Sequence, residues 1–448
     1  MNNKIKLNLT PYKGTRDFYP EDMKFRNWMF SKFKETLSNY AYEEYNGPLL
    51  EPLELYAAKS GIELVTEQTY NFDDRGGRRV AIRPEMTPTV ARMVAARSNA
   101  LNFPIRWFSV ANFYRYERPQ KGRLREHYQV NVDLFGSNSI NADAEIISLI
   151  VNVLNHYGAD SNMFKIRINN RKFFNDVLSV ITNLPKEKHI ELSKIIDRRE
   201  KVDESVYIES LKELGLDDKS IDNLSKMYNL SLEEALKICD NSEGANELKN
   251  LFAFINKMKL TEYCEFDFSI VRGLDYYTGT VFEVYDKSPE NRRALFGGGR
   301  YDNLVGLFGI KQPISGIGFG CGDVTLENFL RSHNLVPKEL DNQTKLLILN
   351  FPGVDYEKIY ELAAELRTVI PVSTFLDDKK IGKQIEYAVR GQYDYIAILG
   401  EDEIKNDVVV IKNLNTRQEI KLNRSDVLNY FAECLNKDDY ENSRSKSR

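Results

Sequence analysis

FYRYERPQKGRLREHYQVNVDLFG, residues 113–136, is the stretch whose pattern organises the rest of the chain. It closes a longer segment, 105–136, in which IRWFSVANFYRYER has strand character, PQKGRLRE is a polar loop and HYQVNVDLFG is a second strand. Side chains alternate faces along a strand. Phe113, Arg115 and Glu117 therefore share a face of the first strand. Gln129, Asn131 and Asp133 share a face of the second, and Val130, Val132 and Leu134 take the other. An arginine, two acids and two amides can converge on one side of this hairpin, while its apolar side packs on helices. The tip adds Arg118, Lys121, Arg123 and Arg125, positive charge suited to phosphates. A solvated salt-bridge face has the same alternation, and spacing alone leaves both readings open.

Outward from the hairpin, residues 20–45 read as a helix, opened by Pro20-Glu21-Asp22. PLLEPLELYAAKS (48–60) is a strand or turn leading into a short helix. NFDDRGGRRVAIRPE is hairpin-like with Gly76-Gly77 as its turn, and an amphipathic helix follows Thr87-Pro88. Residues 141–157 predict a helix. Residues 171–260 turn to Lys, Glu, Leu and Ile at helical spacing and read as a helical insertion. Strand character returns at 264–271 and 279–286, a glycine run stands at 297–299, and ISGIGFGCG (314–322) precedes a helix at 323–333. After a linker, 334–344, the pattern KLLILN, YEKIYELAAELRTV, PVSTFL, DKKIGKQIEYAVRG, YDYIAILG and a strand pair at 407–422 predicts a separate α/β unit, ending in a helix from about Ser425. The tail, 437–448, is polar and predicts disorder.

At 448 residues the chain predicts two or three domains. A hydrophobic share of 42% and a charged share of 29% are those of a globular protein. With a net charge of −4, contact with nucleic acid has to come from a local basic surface. No stretch approaches the ~20 apolar residues of a membrane helix, and the N-terminal MNNKIKLNLTPYKG carries no secretion signal. The four cysteines form no CxxC pair and the four histidines are dispersed, so no metal site or disulfide framework is expected. A reducing cytoplasm is the expected location.

Several segments, in order, resemble class II aminoacyl-tRNA synthetases, and among these the histidyl-tRNA synthetase family. KGTRDFYP (13–20) resembles the family's N-terminal signature, GPLLEPLELY (47–56) its dimer-building motif 1, and IRPEMTPTVAR (82–92) its RPE-x-T segment. Residues 113–136 resemble motif 2, VRGLDYYTGTVFE (271–283) the histidine-specific loop, and ALFGGGRYDNLVG (294–306) with SGIGFGCGDVTL (315–326) the segments around motif 3. The implied fold is an α+β catalytic domain with a mixed, mainly antiparallel sheet. Its core would be made of residues 1–170 and 261–333, with 171–260 as a helical insertion and 345–436 as an α/β anticodon-binding domain. The implied activity is ATP- and Mg2+-dependent attachment of L-histidine to tRNA(His) by a homodimer.

The resemblance also implies roles. Arg115 and Arg272 hold the ATP α-phosphate and stabilise the transition state. Arg123 stands near the γ-phosphate and Glu117 fixes the adenine end. Glu85, Thr87 and Gln129 hold the histidine ammonium group; Asp133 and Tyr277 read the imidazole, Tyr276 being read as core. Asp133 stands where many relatives carry glutamate. Gly298, in the run Gly297–Gly299, lets backbone approach the ligand, and Arg300, Tyr301 and Asp302 follow beside the amino-acid pocket. Arg118, Gln120 and Arg125 are the candidates for reading an extra 5′ guanylate of the tRNA. In the C-terminal unit Lys379, Lys380, Lys383, Arg390 and Lys405 supply either phosphate contacts or a soluble helix face. One departure stands out: motif 3 normally ends in glutamate-arginine, and Val324 and Thr325 occupy those positions here, with the next arginine at Arg331. This departure is what favours a second reading, a catalytically inactive histidine-binding regulatory paralogue. The retained Arg115, Glu117 and Arg123 and the full C-terminal unit oppose it.

Overall fold

The structure is a computed structural model and describes residues 8–60, 65, 67–120, 122–199, 202–271, 276–291, 293–338, 340 and 344–434. Two compact units divide between Lys338 and Glu339, inside the segment expected to be a linker. In chain order the strands of the first unit are β1 (Glu43–Glu44), β2 (Leu50–Pro52), β3 (Asn71–Asp73), β4 (Arg79–Ile82), β5 (Ile105–Tyr114), β6 (Glu126–Phe135), β7 (Phe164–Asn170), β8 (Cys264–Phe266), β9 (Thr280–Asp286), β10 (Ala294–Arg300) and β11 (Gly316–Gly322). The main sheet has eight strands in the order β1-β5-β6-β11-β10-β9-β7-β8, parallel only at its two edge pairs. A small antiparallel sheet, β2-β4-β3, stands apart from it, with the expected turn through Gly77 at φ +74°.

The helices of this unit are α1 (Pro20–Asn39), α2 (Leu53–Ser60), α3 (Thr87–Arg97), α4 (Ile140–His156), α5 (Arg171–Ile181), α6 (His189–Asp197), α7 (Glu204–Leu214), α8 (Asp218–Met227), α9 (Leu232–Leu236), α10 (Glu243–Lys257) and α11 (Asp323–Ser332). α4 is strongly apolar and is covered on all but one stripe, where Asn141, Asn152 and Asn155 are exposed. It meets α1, α10 and β11, and Ser139 caps its start by accepting from Asn141 N–H. Each large aliphatic side chain it buries contributes about 1.5–3 kcal/mol. The apolar face of β6 (Val130, Val132, Leu134) is likewise fully covered. That leaves the polar face of the hairpin as the face available to a ligand.

Four elements differ from expectation. α1 ends at Asn39 and not at residue 45, because the chain turns through Ala41, at φ +59°, into β1. β5 stops at Tyr114 instead of running on to Arg118: Arg115 N–H still pairs with Arg125 O at 2.8 Å, but Glu117 N–H turns back to Arg115 O at 2.8 Å. β8 stops at Phe266 because the Asp267 carboxylate accepts from Ser269 N–H and Oγ–H (2.8 and 2.6 Å) and turns the chain. β7 was not anticipated, although FKIRINN alternates Phe164, Ile166 and Ile168 into the core. In addition α10, at the end of the expected insertion, packs on α4, α5 and β7.

The second unit holds β12 (Leu346–Ile348), β13 (Val372–Thr374), β14 (Tyr395–Ile398), β15 (Val408–Asn413) and β16 (Glu419–Asn423), in the order β13-β12-β14-β15-β16, with helices at Tyr356–Leu366 and Ile381–Arg390. The run LLIL buries alternate residues in two separate clusters, as a central strand covered on both faces requires.

Candidate active site

Register builds the site. Across β6 from Gln129, Asn131 and Asp133 lie Gly322, Gly320 and Gly318 of β11. A Cβ on Gly318 would meet Val132 O and the Asp133 carboxylate, and one on Gly320 the amides of Gln129 and Asn131. The glycine spacing of GIGFGCG thus makes a flat floor over which the β6 side chains can lie. Above it opens a cavity of about 320 Å³, lined by Glu85, Thr87, Arg115, Glu117, Arg123, Gln129, Asp133 and Tyr277 among others. Eight side chains chosen from sequence therefore meet in one space. From Asp133 to His127 the floor strand covers roughly 20 Å, which gives the cavity two chemically different ends.

At the Asp133 end the carboxylate accepts a short hydrogen bond from Tyr301 O–H. Both residues are buried, and burial, with Asp133 second, pushes the Tyr301 phenol well above its ordinary value, so it stays a donor. Tyr277 and Tyr276 pack at a 39° tilt with centroids 4.6 Å apart, and Tyr276 meets Tyr301 edge-on at 5.8 Å. Tyr276, expected to be core, also lines the cavity. A carboxylate framed by phenols suits a small ring carrying two polar nitrogens.

At the other end Arg115 Nε donates to Pro84 O at 3.0 Å, which seats it beside Glu85. The RPE segment is itself fixed by buried Arg83, whose guanidinium donates to Asn112 O (2.9 Å) and Gly47 O (2.8 Å). Glu117 and Arg123 form a short ion pair on the cavity wall. Arg16, in the N-terminal segment, pairs at 2.6 Å with Asp323, which also accepts from Tyr128 N–H at 3.0 Å. Burial raises the Asp323 carboxyl while Arg16 pulls against that. The expected departure is present in space as well: Val324 and Thr325 both line the cavity.

Some residues chosen from sequence are elsewhere. Gly298 is packed against Gly318 O and Phe319 within the sheet and does not line the cavity, although Gly297 does. Arg118 and Gln120 are exposed on the loop; Gln120 exchanges backbone bonds of 3.0 and 2.9 Å with Arg123. Arg125 is occupied with Glu117 O (3.1 Å), the Tyr12 hydroxyl (3.0 Å) and the face of Tyr116. Arg300 is buried in an ion pair with Asp143, away from any ligand role. Arg272 and Lys121 lie outside the described residues. Among the described residues no group of three or more His, Cys, Asp or Glu is arranged to hold a metal.

Sequence reasoning passed over Tyr301 as an individual partner of Asp133, and also His127. His127 pairs with Phe113 across the hairpin and lines the cavity. Burial first, then Arg115, Arg16 and Arg123, lowers its pKa to about 3. A depressed pKa means the unfolded chain binds the extra proton first, so stability falls as pH drops below about 6.5, by on the order of 1 kcal/mol per pH unit. His127→Phe is expected to flatten that slope. Urea unfolding at pH 7 and pH 5 checks it, and parallel slopes in both proteins would refute a neutral His127.

Comparison with known proteins agrees with this geometry. The family model for histidyl-tRNA synthetase matches residues 14–322, and that for an anticodon binding domain matches residues 345–433. A histidine–tRNA ligase of Leptospira biflexa is 44% identical over 96% of this chain and 99% of its own length. One of Haloarcula marismortui is 36% identical over 92% and 94%. The crystal structure of histidyl-tRNA synthetase from Nostoc sp. PCC 7120 superposes with a TM-score of 0.77 at 21% identity, over 96% of this chain and all of that one, which is a likeness of fold. The chain belongs to the histidyl-tRNA synthetase family.

Proposed function

We infer that the protein is a histidine–tRNA ligase. The histidine carboxylate attacks the α-phosphorus of ATP, the bond to the β-phosphate oxygen breaks, and pyrophosphate leaves. A terminal hydroxyl of tRNA(His) then takes the histidyl group and releases AMP. The observation that carries this reading is the single cavity joining a carboxylate framed by phenols to an arginine-lined end along one strand. Charge accumulates on the phosphoryl oxygens in the transition state, so positioned cations and not a strong base supply most of the acceleration.

In this reading Arg115 holds the α-phosphate, Arg123 the γ-phosphate and Glu117 the adenine end, so the Glu117–Arg123 pair opens when nucleotide enters. Arg272 joins Arg115 on the strength of its motif alone. Glu85, Thr87 and Gln129 hold the ammonium group, and Asp133 with Tyr277 reads the imidazole. Magnesium enters with the nucleotide. Its demand for hard ligands would be met chiefly by phosphate oxygens and water.

Arg118 and Gln120 are exposed and available to the tRNA acceptor end, and the second unit would take the anticodon through Lys380, Arg390 and Lys405, with Lys379 and Lys383 set in ion pairs with Asp377 and Glu386. A homodimer is supported by the exposed apolar side chains Leu50 and Phe72 on the small sheet and Leu49 just before it. A cytoplasmic location is supported by four free thiols and, among the described residues, by no helix long and apolar enough to cross a membrane. The test is histidine-dependent exchange of labelled pyrophosphate into ATP. Exchange is expected with histidine alone among the amino acids. Its absence at saturating histidine and Mg-ATP would leave the silent regulator as the better reading.

A further inference from the structure

α11 begins at the nucleotide end of the cavity, and its first turn brings no cation there, because Val324 and Thr325 are neutral. The next arginine, Arg331, is engaged with Glu327 at 2.8 Å and the face of Phe25. Thr325 instead reaches sideways: its hydroxyl donates to Leu295 O at 2.6 Å. Leu295 sits at an irregularity of β10, where register against β9 shifts between Ala294 and Phe296. Such a bulge releases a residue from the ladder and re-aims its neighbours. The residue just before β10 is Arg293, exposed and lining the cavity. It also lines a second space of about 470 Å³, which shares Gly122, Leu295 and Thr325 with the first. Arg115 and Arg123 each have a partner in the protein, Pro84 O and Glu117. Among the described residues none forms a hydrogen bond or ion pair with the Arg293 guanidinium.

We propose that Arg293 is a nucleotide-contacting residue that engages the β- and γ-phosphates of ATP from the β10 side, supplying the cation that the first turn of α11 lacks. The proposal rests on the reading of this cavity as an ATP site. A triphosphate needs several donors in different directions, and a guanidinium offers a rigid fork matched to phosphate oxygens. Thr325 contributes indirectly: its bond to Leu295 fixes the bulge beside which Arg293 stands. The same charge stabilises the departing pyrophosphate, on which negative charge grows as the bond to the α-phosphorus breaks.

The experiment uses the full-length protein and compares wild type, Arg293→Ala and Arg293→Lys. In pyrophosphate exchange, Arg293→Ala is expected to raise KM for ATP about 10- to 100-fold and to leave KM for histidine within about twofold, with the lysine variant between. Calorimetric titration with AMP, which lacks the β- and γ-phosphates, is expected to give the same affinity in all three proteins. An unchanged KM for ATP in Arg293→Ala, or AMP weakened as much as ATP, would overturn the assignment. A wild-type protein with no exchange and no ATP binding would remove the underlying reading instead, so the two failures are distinguishable.

Discussion

Asp133→Ala is expected to lower kcat/KM for histidine by about 1000-fold while leaving the affinity for ATP nearly intact. The carboxylate is 1% exposed and lies over Gly318 on the cavity floor. With it removed, an imidazole N–H enters a desolvated slot with no acceptor, and the Tyr301 hydroxyl loses the oxygen it donates to. Unpaired polar groups in such a site cost more than the lost contact itself. The affinity for ATP serves as the control, since the nucleotide end lies several residues along β6. Asp133→Glu tests the geometry. A glutamate needs room for one more methylene, whereas in this chain a Cβ at Gly318 would already touch the Asp133 carboxylate. The longer acid is expected to recover only part of the loss. Equal loss of ATP and histidine affinity in Asp133→Ala would show that the residue supports the sheet and does not read the ligand.

The hairpin and its polar face were legible because strand alternation is local: Gln129, Asn131 and Asp133 point the same way whatever surrounds them. The role of the glycines in 316–322 was legible only as spacing, because the reason for them lies on β6, nearly two hundred residues upstream, whose side chains fill the space a Cβ would need. Tyr301 was out of reach for a similar reason. Its partner Asp133 is distant in sequence, and nothing in RYD says which of the three side chains turns inward; Arg300 goes to Asp143 and Tyr301 to Asp133. Glu117 was read on one strand face with Arg115, and Arg125 as part of the charged tip, but the chain leaves the ladder at Glu117, and Arg125 is drawn to Tyr12 and Tyr116. Overextending a strand into a charged loop is the expected error when a periodic pattern has no terminating proline until Pro119. β7 carried a plain period-two signal but was masked by the helical composition that begins one residue after it.

Arg115→Ala is expected to reduce kcat for adenylate formation by at least about 100- to 1000-fold, with a much smaller change in histidine affinity. Arg115 is the first residue beyond β5, still in register through its N–H to Arg125 O at 2.8 Å, and its Nε is held by Pro84 O at 3.0 Å. Those two bonds seat Arg115 on the cavity wall before substrate arrives and use none of its terminal guanidinium nitrogens. Because the group is positioned at no cost in the reaction itself, its interaction strengthens as charge builds on the phosphoryl oxygens, and the loss should appear in kcat more than in KM. Arg115→Lys should not restore the rate. An ammonium group cannot both bond Pro84 O and present a fork to phosphate, so charge alone is insufficient if orientation is what matters. Stopped-flow measurement of single-turnover adenylate formation separates the step from tRNA transfer. A lysine variant as fast as wild type would show that Arg115 acts only as a point charge.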